Sequence, residues 1–266
     1  KRLVDDMDMF ELEKASWLDV QVAAKVGENF GSIVGPDFKR NDAGQILINP
    51  STGLPEYDKS NHVLGNASWK WTGGITTTLT YKNLSLNAIF DVKVGADLYS
   101  MSARASYESG KAKQTLAGRE DWYKSEEQRQ EAGIAKGSES WKPTGGYIAP
   151  GVIDNGDGTY RKNDIYVNPE DYWMNVCRNA PAMFIYDNSY IKCRELTLSY
   201  NVPQQWLKKA INGLTISLVA RNPFIVWKNI PNIDPDSNYN NTTGMGLEYG
   251  SMPSRKSYGI SVNVKF

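Results

Sequence analysis

The last ten residues of the chain alternate between apolar and polar or small side chains. The apolar positions are Tyr258, Ile260, Val262, Val264 and Phe266. This period of two predicts a β-strand with one apolar and one polar face, ending on an aromatic residue. The C-terminus therefore has to belong to a sheet, and one face of that sheet has to meet an apolar environment.

The same alternation recurs upstream and predicts an antiparallel sheet. The predicted strands cover residues 70–81, 84–94, 188–201, 214–222 and 257–266, and a weaker strand covers Leu18 to Val26. Short connections at Lys82-Asn83 and 203–213, the latter read as an amphipathic helical turn, alternate with long ones at 36–69, 95–186 and 223–256. Short turns on one side and long loops on the other are typical of an outer-membrane β-barrel.

Composition excludes several classes of protein. Lys plus Arg and Asp plus Glu number 30 each, so a basic nucleic-acid footprint is absent and no nucleic-acid partner is expected. A single histidine and two cysteines, Cys177 and Cys193, support neither a zinc site nor a Cys/His nucleophile. We find no phosphate loop or nucleophile elbow, and we predict no enzyme activity, catalytic residue, metal or cofactor.

Two local features leave alternatives open. Gly151 to Asp164 carries four oxygen-bearing side chains, but it lacks the closing glutamate of an EF-hand and contains Asn-Gly and Asp-Gly dipeptides. We interpret it as a hairpin tip rather than a calcium loop. A disulfide between Cys177 and Cys193 stays open, because the sequence does not fix their geometry.

Several stretches in order resemble the SusC/RagA family of TonB-dependent outer-membrane transporters. They are VGENFGSIVG from Val26, AGQILINPSTGLP from Ala43, LGNASWKWTGGITTTLTYKNLSLNAIFDVKVGADLYS from Leu64, YDNSYIKCRELTLSYNVP from Tyr186, LVARNPFIV from Leu218, NIDPDSN from Asn232 and SYGISVNVKF from Ser257. Trp69 lacks the neighbouring proline that is usual in the family, and Asp234-Pro235-Asp236 stands where the family has Asp-Pro-Glu.

The resemblance implies an all-β fold, an antiparallel transmembrane β-barrel of about 22 strands with long extracellular loops and a plug in its lumen. We expect residues 1–266 to form the C-terminal portion of that barrel. Because Lys1 opens a charged stretch without an initiator Met or signal segment, we expect the plug domain and the TonB box to lie outside this chain.

The resemblance also implies a function: TonB-dependent import of oligosaccharides or oligopeptides across the outer membrane of a Gram-negative bacterium. The implied partners are a SusD-like surface lipoprotein, TonB, outer-membrane lipid and lipopolysaccharide, a glycan or peptide substrate, and a dimer of transporter-lipoprotein pairs. A lidless siderophore or vitamin receptor and a soluble β-sandwich carbohydrate-active protein are the alternatives.

Two sets of residues are candidates for function. The first is the alternating C-terminal strand, which resembles the signal for the barrel-assembly machinery: Tyr258, Ile260, Val262, Val264 and Phe266. The second is a set of aromatic residues in the long connections, whose ring faces suit sugar and peptide ligands alike. These predicted substrate-binding residues are Trp122, Trp141, Tyr166, Trp173, Trp227 and Tyr239.

Overall fold

The computed structural model describes residues 8–15, 19–207, 210–240 and 242–266. Its strands are β1 (Met9–Ala15), β2 (Val20–Lys25), β3 (Ser32–Phe38), β4 (Tyr57–Asn66), β5 (Trp71–Tyr81), β6 (Leu84–Val94), β7 (Asp97–Ser100), β8 (Tyr147–Ile148), β9 (Val152–Asp154), β10 (Tyr160–Lys162), β11 (Tyr166–Val167), β12 (Ile185–Asp187), β13 (Tyr190–Asn201), β14 (Gly213–Arg221), β15 (Ile225–Lys228), β16 (Leu247–Glu248) and β17 (Ser257–Lys265). Its α-helices are α1 (Met101–Glu108), α2 (Arg119–Glu131) and α3 (Pro169–Asn179), and single 3-10 turns lie at Lys113–Leu116, Pro181–Phe184 and Gln204–Trp206.

The five strands predicted from alternation form one antiparallel sheet. Its strand order is β17-β14-β13-β6-β5, and β15 pairs with the first residues of β13. The observed strand ends agree with the predicted ones within two residues. This sheet is called the main sheet below.

The two faces of the main sheet have opposite chemistry. One row across the five strands consists of Leu79, Leu86, Leu198, Leu218 and Ile260. The neighbouring row on the other face consists of Thr80, Ser85, Ser199, Ser217 and Ser261. Hydroxyl pairs bridge the strands on this polar face, as between Ser199 and Ser217 at 2.8 Å. Along these two rows the strand register places like residues opposite each other, so the alternation within each strand produces one apolar and one polar surface.

All long connections leave the same end of the main sheet. The opposite end carries only the Lys82-Asn83 turn and the connection after β13. The predicted helical turn in that connection is the 3-10 turn Gln204–Trp206. Residues 208 and 209 of the connection lie outside the described residues. Lys82 adopts φ +51°, and the Asn83 side chain donates to the carbonyl of Asn201 at 2.7 Å. The predicted asymmetry of short and long connections is therefore present.

The long connections contain more regular structure than the sequence predicts. Residues predicted as loop at 36–69 include β4, which joins β1, β2 and β3 in a four-stranded sheet. The predicted weak strand at 18–26 is β2, although Leu18 lies outside the described residues. The segment 95–189 holds three helices and small paired strands, and the 223–256 segment adds β15 and β16. Together, β1–β4, the 95–189 segment and the described residues of 229–256, which include β16, are called the loop layer below.

The loop layer has its own hydrophobic core. Val22 and Ile33 of the four-stranded sheet pack with Tyr99 of β7, Phe184 and Leu247 of β16, all at most 2% exposed. A second cluster gathers side chains from α3 and the strands around it, including Trp173 and Val176. These contacts join residues more than a hundred positions apart, so the layer is a folded unit rather than a set of independent loops.

Local chemistry explains why alternation did not predict β3 and β4. Pro36 lies inside β3, where it has no N–H to donate, and the pairing of β3 with β4 shifts register between Gly35 and Asp37. The sequence of β4, YDKSNHVLGN, has no apolar face, and all of it is half-buried or exposed. Both segments form strands because they pair with neighbouring strands, and not because their own sequences alternate between apolar and polar residues.

Candidate functional site

A cluster of charged residues sits on the polar face of the main sheet, at the end that carries the loop layer. It begins with a bulge in β13: Cys193 pairs with Phe90 and Glu195 with Ile89, so Arg194 has no partner in β6. A bulge redirects the side chains on either side of it. Tyr190, Lys192 and Arg194 lie on one face of β13 by alternation, and all three contact Asp236.

Those acidic residues come from two places. Asp91 of β6 accepts a hydrogen bond from Arg194 Nη2 at 2.6 Å. Asp234 and Asp236 belong to the 229–240 loop, which folds over the strands. Lys192 Nζ lies 3.0 Å from Asp234 Oδ1 and 2.6 Å from Asp236 Oδ2. Arg194 Nη1 lies 2.5 Å from Asp236 Oδ2, and the Tyr190 hydroxyl donates to Asp236 Oδ1 at 2.8 Å.

The cluster keeps its loop carboxylates charged. Burial works to raise the pKa of Asp236, but hydrogen bonds from Arg194, Lys192 and Tyr190 outweigh it and hold that pKa well below its usual range. For Asp234 burial is likewise outweighed, here by hydrogen bonds from Ser254, the Asp236 backbone and Lys192, so its pKa is also lowered. Lys192 is 1% exposed, and a buried ammonium needs such partners.

The arrangement fastens the 229–240 loop to the polar face of the sheet. Lys228 Nζ donates to the Ile233 carbonyl at 2.5 Å, and the buried Asn188 side chain donates to the Pro235 carbonyl at 3.0 Å. Asp234 and Asp236 thus form ion pairs with the sheet and belong to a structured loop. No group of three or more His, Cys, Asp or Glu that could hold a metal occurs in the described residues.

A cavity of about 270 Å³ lies within the loop layer, between α1, α2 and the first turn of α3. It is lined by Tyr107, Glu108, Ser109, Gly110, Thr115, Arg119, Trp122, Tyr123, Asn168, Pro169, Glu170 and Trp173. The rings of Tyr107 and Trp173 are 4.9 Å apart at their centroids. Trp173 Nε1 is buried without a hydrogen-bond partner in the described residues, and an unsatisfied buried donor is uncommon in folded proteins.

The structure brings two of the six predicted substrate-binding aromatics together. Trp122 and Trp173 line this cavity. The other four are spread over the loop layer and the top of the sheet: Trp141 half-buried before β8, Tyr166 on β11, Trp227 on β15, and Tyr239 in the 229–240 loop. Their contact with a ligand stays a prediction.

Sequence reasoning missed the charged residues of both sites. Lys192 and Arg194 lie two residues apart in β13, where they alternate with apolar residues. This pair of cations on one face of a strand was the signal in the sequence that could have predicted the charged cluster. Glu108, Arg119 and Glu170 lie on three separate helices or turns, and nothing in their spacing relates them. Only the packing of α1, α2 and α3 assembles them.

The remaining predicted features have clear positions. Gly151 to Asp164 contains the β9–β10 hairpin, as predicted. Cys177 in α3 and Cys193 in β13 are both free buried thiols, and burial raises the pKa of Cys177 to about 12.

The predicted assembly-signal residues lie on the edge strand β17 or just after it and are 38–85% exposed. No helix among the described residues is long and apolar enough to span a membrane.

The main sheet is antiparallel and has an exposed apolar face, a polar opposite face, short turns at one end and a folded layer at the other. Together these features define a segment of a β-barrel wall. No family model matches the chain. A curated protein, "TonB-dependent receptor P3" of Formosa agariphila, is 25% identical over 269 aligned positions, which cover 90% of this chain and 22% of that protein.

Solved structures agree with this fold. The RagAB peptide importer in its closed-closed state matches with a TM-score of 0.56 at 15% identity, over 98% of this chain and 25% of that chain. Its open-open state matches with a TM-score of 0.57 at 16% identity, over all of this chain and 25% of that one. This chain therefore spans about a quarter of the length of these relatives. The resemblance to SusC/RagA-type TonB-dependent transporters is confirmed over that part.

Proposed function

We propose that this chain forms part of a TonB-dependent transporter that imports oligopeptides or oligosaccharides across the outer membrane of a Gram-negative bacterium. The observation that carries the proposal is the main sheet, whose apolar face is exposed and whose polar face supports a loop fastened by ion pairs. A soluble sandwich would bury its apolar face against a second sheet, whereas a barrel wall presents it to lipid.

The height of the apolar face suits a bilayer. Trp71 and Tyr81 lie ten residues apart on the same face of β5 and are 56% and 72% exposed. At about 3.3 Å per residue and a strand tilt of about 40°, the two rings are about 25 Å apart along the membrane normal. Aromatic residues at both limits of an apolar band of that height are typical of barrels in the outer membrane.

The edges of the sheet require further strands. Within the described residues β5 and β17 each pair on one side only. Unpaired backbone groups are too costly in hydrocarbon, so these edges have to pair with other strands of the whole protein to close a barrel. The polar rows, including Ser85 and Ser199, then face a water-filled lumen.

The partners follow from the proposed class. TonB would supply the energy, a SusD-like lipoprotein would cover the loop layer as a lid, and the transporter-lipoprotein pairs would dimerise. The barrel-assembly machinery would recognise the strand that ends in Phe266, and the apolar face would contact outer-membrane lipid and lipopolysaccharide. The similarity to a peptide importer and the broad, aromatic-rich loop layer support a substrate larger than a porin admits.

Native mass spectrometry of the full-length protein, extracted gently from its own outer membrane, tests this proposal. We expect a stoichiometric lipoprotein partner and a residual peptide or glycan mass. Uptake of that ligand into whole cells should stop when TonB is deleted or the proton-motive force is collapsed. A protein that runs alone and binds a metal chelate or vitamin would instead be a lidless receptor, and recovery in the soluble fraction would contradict the barrel.

A further inference from the structure

The cavity between α1, α2 and α3 combines aromatic walls with two carboxylates. Tyr107, Trp122 and Trp173 supply the rings, and Glu108 and Glu170 supply the acidic groups. Neither carboxylate forms a close ion pair with another of the described residues, although Arg104 attracts Glu108 from one turn earlier on α1. The exposed residues Ser109, Tyr123 and Glu170 form its rim, so the cavity is open to solvent.

Arg119 is held rigidly at the same wall. Its Nε donates to the Thr115 carbonyl at 2.7 Å, and its Nη2 donates to the Gly110 carbonyl at 2.8 Å and to Thr115 Oγ1 at 2.7 Å. These bonds use three of the five guanidinium N–H groups and leave Nη1 as the remaining donor. Because the guanidinium is bound to neutral oxygens of the backbone and of Thr115, it does not neutralise Glu108 or Glu170 directly.

From this geometry we infer that the cavity binds a basic side chain, lysine or arginine, of an oligopeptide substrate. The inference rests on the proposed import function. Glu108 and Glu170 pair with the cationic group, the rings of Tyr107 and Trp122 offer their negative faces to it, and Arg119 Nη1 donates to a carbonyl of the peptide backbone. At about 270 Å³ the cavity is smaller than most sites for a complete ligand, so it holds one residue of the peptide.

The charge of the lining favours a cation over a neutral sugar. Two carboxylates and one guanidinium, Glu108, Glu170 and Arg119, give the lining a net charge of −1, and a bound ammonium or guanidinium balances that charge. A neutral glycan would stack on the same rings and hydrogen-bond to the same oxygens, but it would leave the net negative charge of the lining unbalanced. A peptide with a basic residue therefore gains more from this lining than a glycan of the same size.

The test uses the full-length transporter, with its partner if one co-purifies, and two fluorescent hexapeptides that differ only in a central lysine or norleucine. We expect the lysine peptide to bind about tenfold more tightly, which is the combined effect of partly exposed ion pairs and a cation–π contact. The E108Q/E170Q double variant should bring the two peptides within about twofold of each other. The preference of the wild-type protein should also fall as salt is raised.

A matched control changes the same charge nearby without touching the cavity. Glu120 and Glu127 are exposed on α2 and are not part of the lining, so E120Q/E127Q should keep the full preference for lysine. Equal melting temperatures of the two double variants would show that both are folded.

The outcomes separate the site from the transporter. Equal affinity for both peptides in the wild-type protein, or an unchanged preference in E108Q/E170Q, would overturn the site while leaving import intact. Binding of glycans alone would overturn the peptide assignment. A lysine preference that E108Q/E170Q abolishes, together with uptake that does not depend on TonB, would support the site and overturn the proposed function.

Discussion

The main sheet and the loop layer use the same kinds of apolar residue in opposite ways. In the main sheet Leu79 is 64% exposed and Ile260 73%, whereas Leu98 and Leu247 of the loop layer are fully buried. A water-soluble unit buries its large apolar side chains, and the loop layer does so. The main sheet places them outward, which is stable only where the surroundings are themselves apolar. One chain thus contains two regions built for two solvents.

Polar groups follow the same division. On the polar face of the main sheet, serine and threonine hydroxyls such as those of Ser199 and Ser217 form hydrogen bonds across strands. Where the loop layer meets that face, the polar groups are charged and largely buried, as at Lys192 and Asp234. The charged cluster is therefore the junction between the two regions, and it is the place where a single change should matter most.

The largest effect should follow from removing the buried cation of this junction. K192M leaves Asp234 without its ammonium partner, and an uncompensated buried charge costs about 3–5 kcal/mol. The 229–240 loop should then detach from the sheet, and proteases added to whole cells should cleave it much faster. The exposed Lys256 gives the control: K256M should leave the cleavage rate unchanged. Equal rates for K192M and the wild-type protein would show that the loop is held by other contacts.

The next largest effect should come from replacing a leucine by alanine in the loop layer, and the same replacement in the main sheet gives the comparison. L247A opens a cavity in the loop-layer core and should destabilise it by about 2–5 kcal/mol. L218A removes a side chain that is 53% exposed in the main sheet, and it should cost less than about 1 kcal/mol because detergent or lipid fills the space. Hydrogen exchange at the amides of β7 and β14, in the full-length protein, measures the two losses. Similar losses at both sites would erase the distinction between the regions.

A third comparison tests which face of the main sheet meets lipid. V262R places a cation on the apolar face near the middle of β17 and should cost about 2–4 kcal/mol in the bilayer. N263R places the same cation on the polar face, where water is available, and should be milder. The fraction of assembled barrel in the outer membrane, read from heat-dependent mobility on gels, measures both. An assembly defect at Asn263 as strong as that at Val262 would contradict the assignment of the apolar face to lipid.

The smallest effect should be the response of the junction to acid. The pKa values of Asp234 and Asp236 are lowered in the folded protein, so their stabilisation is complete above the ordinary aspartate pKa of about 3.9. It is lost as the pH falls below that value towards the lowered pKa values. Cleavage of the 229–240 loop by pepsin should therefore stay slow at pH 5 and rise only in stronger acid. In K192M the rise should begin at a higher pH.

The sequence by itself determined the main sheet. Alternation over nine to twelve residues selects a strand and its faces, and the short Lys82-Asn83 connection leaves β5 and β6 no arrangement except an antiparallel pair. The ordered motifs added the resemblance, which the comparisons confirm. These are local or contiguous signals, so they can be read without knowing which distant residues meet.

Tertiary structure alone decided the loop layer and both candidate sites. β4 has no apolar face of its own and exists because β3 pairs with it, and the bulge at Arg194 becomes visible only when β13 is aligned with β6. The cavity brings Glu108 and Glu170 together across 62 positions of chain, a closure that local pattern does not encode. Such contacts depend on how three helices pack, because packing responds to the shape and volume of all the partners at once.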